Sequence, residues 1–273
     1  MRSELDQFAK SARQVVNDVS TVDTWRPGTH VNDRSPQLSA GLERLGWSDL
    51  ASGGEDTLPF LAVAALELGR QAASPYDIIQ LLGGSPLVGG LAMYGEPGQH
   101  TVSKDPRGYV LATITRSSPV MFADSLGVHA VSELDEARFT DGDAEKRQAA
   151  WEAATVGYFA GLDSFVVDAA IEHARGREIF GRTLAHLDAV QQRLADAATT
   201  TDALVLSAQE GAHGLPALAH AASSSWSVML HGHMIFGAIG FTLEFPLQRY
   251  SRRAKALGAF VDGWIDHSIG YAA

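Results

Sequence analysis

Four long stretches of helical periodicity fill the second half of this sequence and constrain its fold more than any other feature. In each stretch apolar residues recur at spacings of three and four, the pattern of a helix that buries one face. The stretches run over 145–173, 187–209, 216–234 and 246–268. Because short connections join them, we expect them to pack as antiparallel neighbours. The sequence therefore predicts an antiparallel four-helix bundle over residues 144–273.

The residues before the bundle divide into two further parts. Helical periodicity recurs over 5–19, 37–44, 58–71 and 76–82, which predicts an N-terminal helical domain over residues 1–85. The next part is rich in Gly, Pro and short β-branched runs, and the best of these, Gly108–Ser117, alternates between two faces. It predicts a small, reduced β-domain over residues 86–143. The predicted fold class is mainly α, with a helical unit, a small β-domain and a bundle in that order.

The composition excludes several classes of protein. With 21 Lys and Arg against 32 Asp and Glu, the net charge is −11, which argues against general nucleic-acid binding because phosphate requires a basic face. The chain has no cysteine, so disulfides, thiolate nucleophiles and Cys-ligated metals are excluded, and a cytoplasmic protein is expected. Glu4 and Asp6 interrupt any apolar signal-peptide core.

The uncharged stretch Gly211–Leu243 is long enough to raise the question of a membrane span. It holds four histidines and the triplet Ser223–Ser225, which a span of about 20 apolar residues would not normally carry. We therefore expect a helix buried between other helices, and no membrane contact. His231 and His233 do not indicate a metal site, because alternate residues diverge on a helix and no acidic pair stands near them in the sequence.

Two loops between the bundle helices hold the candidate binding residues. Arg175–Arg182 contains three arginines with an aromatic residue and a glycine; it can bind phosphate through guanidinium groups, or it is a charged turn that ends a helix. His233–Pro246 contains Gly237 and Gly240, which allow a tight turn or the close approach of a flat ligand.

Both loops belong to a longer series of short motifs. These are Arg-x-x-Phe-Gly at 177–181, Leu-Ala-Asp at 194–196, Gly-x-x-Gly-Phe-x-x-Glu-x-Pro at 237–246 and Arg-x-Ala-Lys at 252–255. In this order they resemble the acyl-CoA dehydrogenase family. The family's N-terminal helical domain has counterparts at Leu45–Trp47 and Glu67–Arg70, and the end of its middle β-domain has one at Leu134–Arg138. The chain is thus identified as a shortened, divergent member with a reduced middle domain.

The resemblance implies a flavoprotein that binds FAD across a dimer interface and removes an α-proton and a β-hydride from an acyl-CoA thioester. Arg177, Phe180 and Gly181 stand where the family contacts the FAD pyrophosphate and adenosine. Gly237 and Gly240 stand in the loop that receives the adenine-side phosphates from the neighbouring subunit. The protein's own part in such chemistry is to place the flavin, exclude water and supply one carboxylate base. The resemblance implies no metal.

Several family positions carry other residues here. Asp188 and Met234 replace two glutamines, and Ala238 replaces a glycine of the loop. A carboxylate at residue 188 would repel a phosphate, so one FAD contact is expected to be lost. The family's two flavin-side stretches in the middle domain are also missing.

The catalytic base is the largest departure. Counted without gaps, the family's Glu position falls on Val261, and Asp262 follows one residue later. A second base position, used by some members, falls on or near Trp151, with Glu152 adjacent. One residue corresponds to about 100° around a helix, so either carboxylate needs a small register shift to serve. Asp262 is the candidate catalytic residue, and Glu152 is the alternative.

Three functions remain open on this basis. The first is a subunit of a flavin-dependent α,β-desaturase that acts on acyl-CoA thioesters, including bulky or steroid-derived ones, together with a fuller paralogous subunit. The second is a homo-oligomeric dehydrogenase that uses Asp262. The third is a flavin-free protein that keeps the fold as a structural or binding partner or for non-redox chemistry.

Overall fold

A computed structural model of the chain describes residues 2–19, 34–105, 108–120, 126–138, 143–179, 181–242 and 245–270. Its first helices are α1 Arg2–Val19, α2 Pro36–Arg44, α3 Trp47–Ser52, α4 Leu58–Arg70 and α5 Tyr76–Leu81. The strands β1 Ser85–Pro86, β2 Leu91–Ala92, β3 His100–Asp105, β4 Gly108–Pro119 and β5 His129–Arg138 follow. The last part comprises α6 Ala144–Gly176, a hairpin of β6 Glu178–Ile179 and β7 Arg182–Thr183, α7 Asp188–Gln209, α8 Leu215–Phe236 and α9 Leu247–Gly270. This order confirms the predicted mainly α fold class.

The strands β1 to β5 form one sheet in the order β1-β3-β4-β5-β2. β1 pairs with β3 in parallel, and the other neighbours are antiparallel. β3 and β4 make a hairpin whose last pair is Asp105 and Gly108. The sequence Asp105-Pro106-Arg107-Gly108 predicts a turn between two strands, and residues 106–107 lie outside the described residues. The strand predicted at 108–117 is confirmed as β4, whereas β3 is not predicted, because its sequence HTVSKD is mostly polar.

α6 is the central helix of the molecule and packs against α4, α7 and α8. It is long and apolar enough to cross a membrane by length and composition, but 78% of its most apolar 18-residue window is buried inside the protein. Its apolar character is therefore accounted for by burial in the core, as expected for a helix with neighbours on all sides.

Glycines bring α4 and α6 unusually close together. A Cβ atom at Gly157 would overlap the backbone carbonyl of Ala62, and one at Gly161 would overlap that of Leu66. Across the contact, a Cβ at Gly69 would overlap the carbonyl of Tyr158. The two α6 glycines are four residues apart, so they lie on one face of the helix, and this face fixes the N-terminal helices against the bundle.

Two buried arginines of α9 hydrogen-bond to the backbone just after the end of α4. Arg249 and Arg253 are 8% and 0% exposed, and both donate to the backbone oxygen of Ala72, at 2.8 and 2.6 Å. The basic residues of α9 between 249 and 255 therefore do not share one solvated face. The guanidinium groups of Arg249 and Arg253 donate to backbone carbonyls just after the end of α4, whereas Arg252 and Lys255 are exposed.

Candidate functional site

The two candidate loops lie at the same end of the bundle. α6 and α8 both end there, and the ring of His173 on α6 packs against the ring of Phe236 on α8 with 4.6 Å between centroids. The fold thus brings the loop at Arg177 next to the turn that begins at Gly237. Phe180, the aromatic residue predicted to contact the cofactor, lies outside the described residues.

The Arg177 loop has a fixed backbone and an exposed side chain. The Arg177 N–H donates to the His173 oxygen at 2.9 Å, and the Arg177 oxygen accepts from the Leu184 N–H at 2.7 Å. Gly181 has φ +77°, a left-handed conformation that favours glycine in the β6–β7 turn. Burial, followed by the charge of Arg177, lowers the pKa of His173. Asp188 is exposed in the first turn of α7, where a negative charge stabilises a helix.

The glycine turn combines a surface residue with a packed one. Gly237 is exposed with φ +61° and begins a 3-10 turn that ends at Phe241. Gly240 is buried, and a Cβ atom there would lie 2.9 Å from the Cβ of Phe236 and 3.1 Å from Leu247. Gly240 is thus required by packing within the chain, while Gly237 is at the surface and accessible to a ligand.

The two positions where the sequence count expects the family's base hold apolar side chains in the core. Val261 and Trp151 are each 0% exposed. Trp151 packs edge-on against Trp264 with 5.5 Å between ring centroids. The space between α6 and α9 that a carboxylate at either position would face is therefore occupied by protein.

Asp262 lies on the outer face of α9 and is exposed. It is fifteen residues from the start of the helix at Leu247, roughly 22 Å along the axis, so it is well separated from the loops at Arg177 and Gly237. Its neighbour Gly263 packs against Val88 instead. The structure thus places the loops of Arg177 and Gly237 at one end of the bundle and the predicted base Asp262 at a distance from them.

Glu152, in contrast, lies at the floor of an open cleft of about 750 Å³. The residue is 2% exposed. The walls come from α6, the β3–β4 hairpin, the start of α4 and the connection between α7 and α8, and include Glu55, Leu58, Lys104, Tyr109, Glu145, Lys146, Gln148 and His213. Gln148 Nε2 donates to Glu152 Oε1 at 2.6 Å, and the Gly214 N–H donates to Oε2 at 2.7 Å. The carboxyl group is thus held in one orientation.

The cleft perturbs the acid–base properties of its residues. Burial raises the pKa of Glu152, against the hydrogen bonds from Gln148 and Gly214 and the positive charges of His213 and Lys104. Burial also raises the pKa of Tyr109 to about 12, and Glu152 and Glu145 act in the same direction. The Tyr109 hydroxyl donates to Gln148 Oε1, so a hydrogen-bonded chain runs from the sheet to Glu152.

An apolar face on α8 is a feature that the sequence prediction missed. Trp226, Leu230 and Met234 are spaced by four and are 36%, 47% and 63% exposed, and Ile239 and Phe241 continue the face beyond the helix. The expectation that 211–243 is buried between other helices is therefore wrong for this side. The spacing was readable in the sequence; what it could not show is that no other element of the described chain covers it.

Comparisons with known proteins agree with this architecture. Residues 146–263 match the family described as acyl-CoA dehydrogenase, C-terminal domain. A curated relative, the probable acyl-CoA dehydrogenase FadE25 of Mycobacterium tuberculosis, is 32% identical over 107 residues, which is 35% of this chain and 28% of the relative. The matched part is thus little more than a quarter of that relative's length.

Solved structures extend the likeness to the whole fold. A variant of the Tcur3481-Tcur3483 steroid ACAD superposes with a TM-score of 0.71 at 18% identity, covering 99% of this chain and 97% of that one. The ChsE4-ChsE5 complex of Mycobacterium tuberculosis superposes with a TM-score of 0.64 at 17% identity, covering 97% and 96%. At these identities the comparison shows the fold.

The fold and the bundle motifs together define an acyl-CoA dehydrogenase-like protein. Residues 146–263 match the C-terminal domain of acyl-CoA dehydrogenases and the whole chain has their fold, which confirms the resemblance found in the sequence. Members of this family bind FAD, and the residues here fit that cofactor in part. Arg177 and Gly237 are exposed at one end, where a pyrophosphate would need them, but the base positions are filled by Val261 and Trp151.

Proposed function

We propose that the chain is one subunit of a flavin-dependent α,β-desaturase of acyl-CoA thioesters, bulky or steroid-derived ones included, and that it acts with a fuller paralogous subunit. The observation that carries this proposal is the contrast between the exposed loop residues and the positions expected for the catalytic base. Arg177 and Gly237 are exposed at one end of the bundle, whereas the positions expected for the family's base hold the buried side chains of Val261 and Trp151. The absence of cysteine supports a cytoplasmic setting.

In this assembly the chain contributes binding groups to a shared site. The Arg177 guanidinium can bind the FAD pyrophosphate in a bidentate fork, and the exposed turn at Gly237 allows a second subunit's cofactor to approach the backbone. Bound FAD supplies the acceptor for the hydride that leaves the β-carbon. The flavin-side elements of the middle domain would come from the partner.

The α8 face supports the existence of a partner. Single exposed apolar residues are normal, but contiguous apolar patches on a soluble protein mark association sites. The segment Gly211–Leu243 contributes no Asp, Glu, Lys or Arg to this face. Lys255 of α9 lies 4.9 Å from the centre of the Trp226 ring, so a second subunit that covers the face needs an acidic residue or solvent beside that lysine. Both superposing structures named above carry two-component names, which favours a related subunit as the occupant.

Co-expression and flavin measurement test the proposal. The chain is purified alone and with a candidate paralogous dehydrogenase, and the flavin bound per complex is measured by its visible absorbance. We expect flavin to be retained only in the complex, and Arg177→Ala to lower its retention while Arg44→Ala, an exposed arginine on α2, does not. A pair that assembles but stays colourless would contradict the proposal.

Asp262 as the catalytic base is a separate proposal and has its own test. If Asp262 takes the α-proton, Asp262→Asn should abolish dye reduction by acyl-CoA in a flavin-loaded preparation. The matched control is Asp266→Asn, one turn further along the same helix and also exposed. Equal turnover in the two variants would remove Asp262 from consideration.

A second candidate function is a flavin-free acyl-CoA dehydrogenase fold that serves as a structural or binding partner. The packed pair Trp151 and Trp264 favours it, because a filled core needs no cofactor for its stability. This function predicts a colourless chain in every complex that still associates through α8. Flavin in the isolated chain would exclude it.

A further inference from the structure

A pocket of about 300 Å³, here called the β1 pocket, opens where β1 ends. β1 pairs with β3 at two positions, the last of which joins Pro86 to Val102, and the chain then leaves β3 in a tight turn. The polar and glycine residues that line the gap are Gly89, Gly90, Ser103, Lys104, Gly263 and His267. Gly263 is sixteen residues beyond Leu247 on α9, roughly 24 Å along the axis, so the pocket is separate from the candidate cofactor loops.

The turn after β1 leaves two backbone N–H groups unpaired within the described part of the chain. Val88 and Leu91 exchange hydrogen bonds of 3.0 and 2.9 Å, and between them Gly89 has φ +56° and Gly90 has φ +78°. These are the features of a two-residue type I′ turn, and its closing bonds use neither glycine N–H. A Cβ atom on either glycine would have nothing within 4 Å, so the space around the turn is open to a ligand.

The edge of β3 adds a third N–H group. The Leu87 N–H donates to the Val102 oxygen at 3.0 Å, so the backbone groups of Val102 face β1. Backbone groups alternate between the two edges of a strand, and Ser103 pairs with Val110 on β4. The N–H of Lys104 therefore faces the side of β1 again, at a level where β1 has ended. It is available to a ligand in the pocket.

The side chains of the β1 pocket favour an anion. Lys104 and His267 line it from β3 and α9, and Ser103 adds a hydroxyl group. The ammonium group of Lys104 lies 5.2 Å from the centre of the Tyr109 ring and forms no salt bridge with a described residue. Among the described residues that line the pocket there is no Asp or Glu. The local charge therefore differs in sign from the net charge of the chain.

Gly263 allows α9 to close the pocket. A Cβ atom at this position would overlap Cγ1 of Val88, so a larger residue would push the helix away from the turn. The close approach places His267, one turn further along α9, in the wall of the same pocket. The donors are thus held by three elements that pack against one another.

We propose that the β1 pocket binds the phosphate group of a small ligand. Its donors come from the turn, from the strand edge and from the side chains of Ser103, Lys104 and His267, so they approach from several directions. A tetrahedral phosphate has at least three oxygen atoms to accept from them, and successive backbone N–H groups in a turn form concave anion sites. The volume is at the lower limit for ligand pockets, so we expect a small ligand. The proposal does not depend on the proposed function.

Nuclear magnetic resonance titration of the purified full chain tests the proposal. The ¹⁵N-labelled chain is titrated with sodium phosphate, and separately with glycerol phosphate, at an ionic strength held constant with sodium chloride. We expect saturable shifts of the amide signals of Gly89, Gly90 and Lys104. Both ligands should bind more tightly than acetate, which has two oxygen atoms. Tighter binding of glycerol phosphate would identify an organic phosphate as the ligand, and tighter binding of inorganic phosphate would identify the free ion.

Two lysine variants separate the β1 pocket from the neighbouring cleft. Lys104→Met should weaken phosphate binding by about tenfold or more, because it removes a charge-assisted hydrogen bond, and Ser103→Ala should weaken it less. Lys104 also lines the cleft above Glu152, so the matched control is Lys146→Met. Lys146 lines that cleft but not the β1 pocket, and its loss should leave the affinity unchanged. The amide spectrum of each variant shows whether it is folded.

The position of the shifts also separates this inference from the proposed function. No saturable shift at Gly89, Gly90 and Lys104, equal affinity of a folded Lys104→Met chain, or tighter binding of acetate would overturn the inference. Shifts confined to Gly181 and Gly237 would overturn it too, and would leave the proposed function standing, because they would assign the phosphate to the candidate FAD loops. Saturable shifts at the β1 pocket of a chain that retains flavin in no complex would do the reverse.

Discussion

Asp163 gives the sharpest prediction about stability, because it is a carboxyl group with no exposure in the middle of α6. Ser225 on α8 donates to its Oδ1 at 2.6 Å, and Oδ2 has no hydrogen-bond partner in the described part of the chain. Burial raises the pKa of Asp163 to about 8, against the lowering effect of Ser225. The native protein therefore carries a neutral carboxyl group at this position at pH 7.

The size of the change in unfolding free energy follows from proton linkage. The pKa of Asp163 is about 8 in the folded chain against an ordinary value of 3.8, so the native state binds one proton more than the unfolded chain between these pH values. The contribution of Asp163 to stability is therefore fully present below pH 4 and is lost as the pH rises toward 8, by roughly 1.4 kcal/mol for each pH unit. Asp163→Asn keeps an acceptor for Ser225 and removes this loss. Between pH 5 and 8 its advantage over the wild type should grow by about 4 kcal/mol.

Urea unfolding at pH 5, 6, 7 and 8, followed by circular dichroism, measures this difference. Asp202→Asn, at an exposed position on α7, controls for the loss of one negative charge from an acidic chain. The two free-energy curves, for the wild type and Asp163→Asn, should diverge as the pH increases. Parallel curves over this range would refute the reasoning, because they would mean that Asp163 takes up no extra proton on folding.

Three further predictions follow from the packing and the surface. Gly161→Ala should lower the free energy of unfolding by about 1–3 kcal/mol, since its Cβ would overlap a carbonyl of α4, whereas Gly176→Ala, with nothing within 4 Å of the added Cβ, should not. Arg253→Met should cost about 2–4 kcal/mol in a thermal or urea assay because buried carbonyls lose a charged donor; Arg252→Met, at an exposed position, should cost less. Met234→Glu should leave the stability of the chain unchanged but weaken its association with a partner, as measured by light scattering; undiminished association would show that α8 is not the contact.

The helices could be predicted because each buries a face against a neighbour. All four bundle helices occur within three residues of their predicted ends, since the periodicity of burial is written directly into the order of apolar residues. The same rule misled for α8, where an uncharged sequence was interpreted as buried on all sides. Periodicity reports which side of a helix is apolar and says nothing about what covers that side.

Contacts between distant segments could not be predicted in the same way. Arg253 stands in a basic run that is usually solvated, yet it is fully buried because the end of α4, about 180 residues earlier, presents carbonyls to it. The glycine pair of α6 is a signal for close helix packing that the sequence does contain. Gly157 and Gly161 are four apart in a helix of high apolarity, a spacing that permits close helix contact.

The two candidate carboxylates show why register alone does not define a site. Asp262 and Glu152 each follow by one residue the position where the sequence count expects the family's base, which turns both by about 100° around their helices. On α9 this rotation directs Asp262 to the exposed outer face. On α6 the same rotation directs Glu152 under the β3–β4 hairpin and the α7–α8 connection, which close a cleft over it. The position of a residue in the sequence determines the direction of its side chain around the helix. The elements that pack over that direction determine whether the carboxyl group is solvated, as in Asp262, or buried and hydrogen-bonded, as in Glu152.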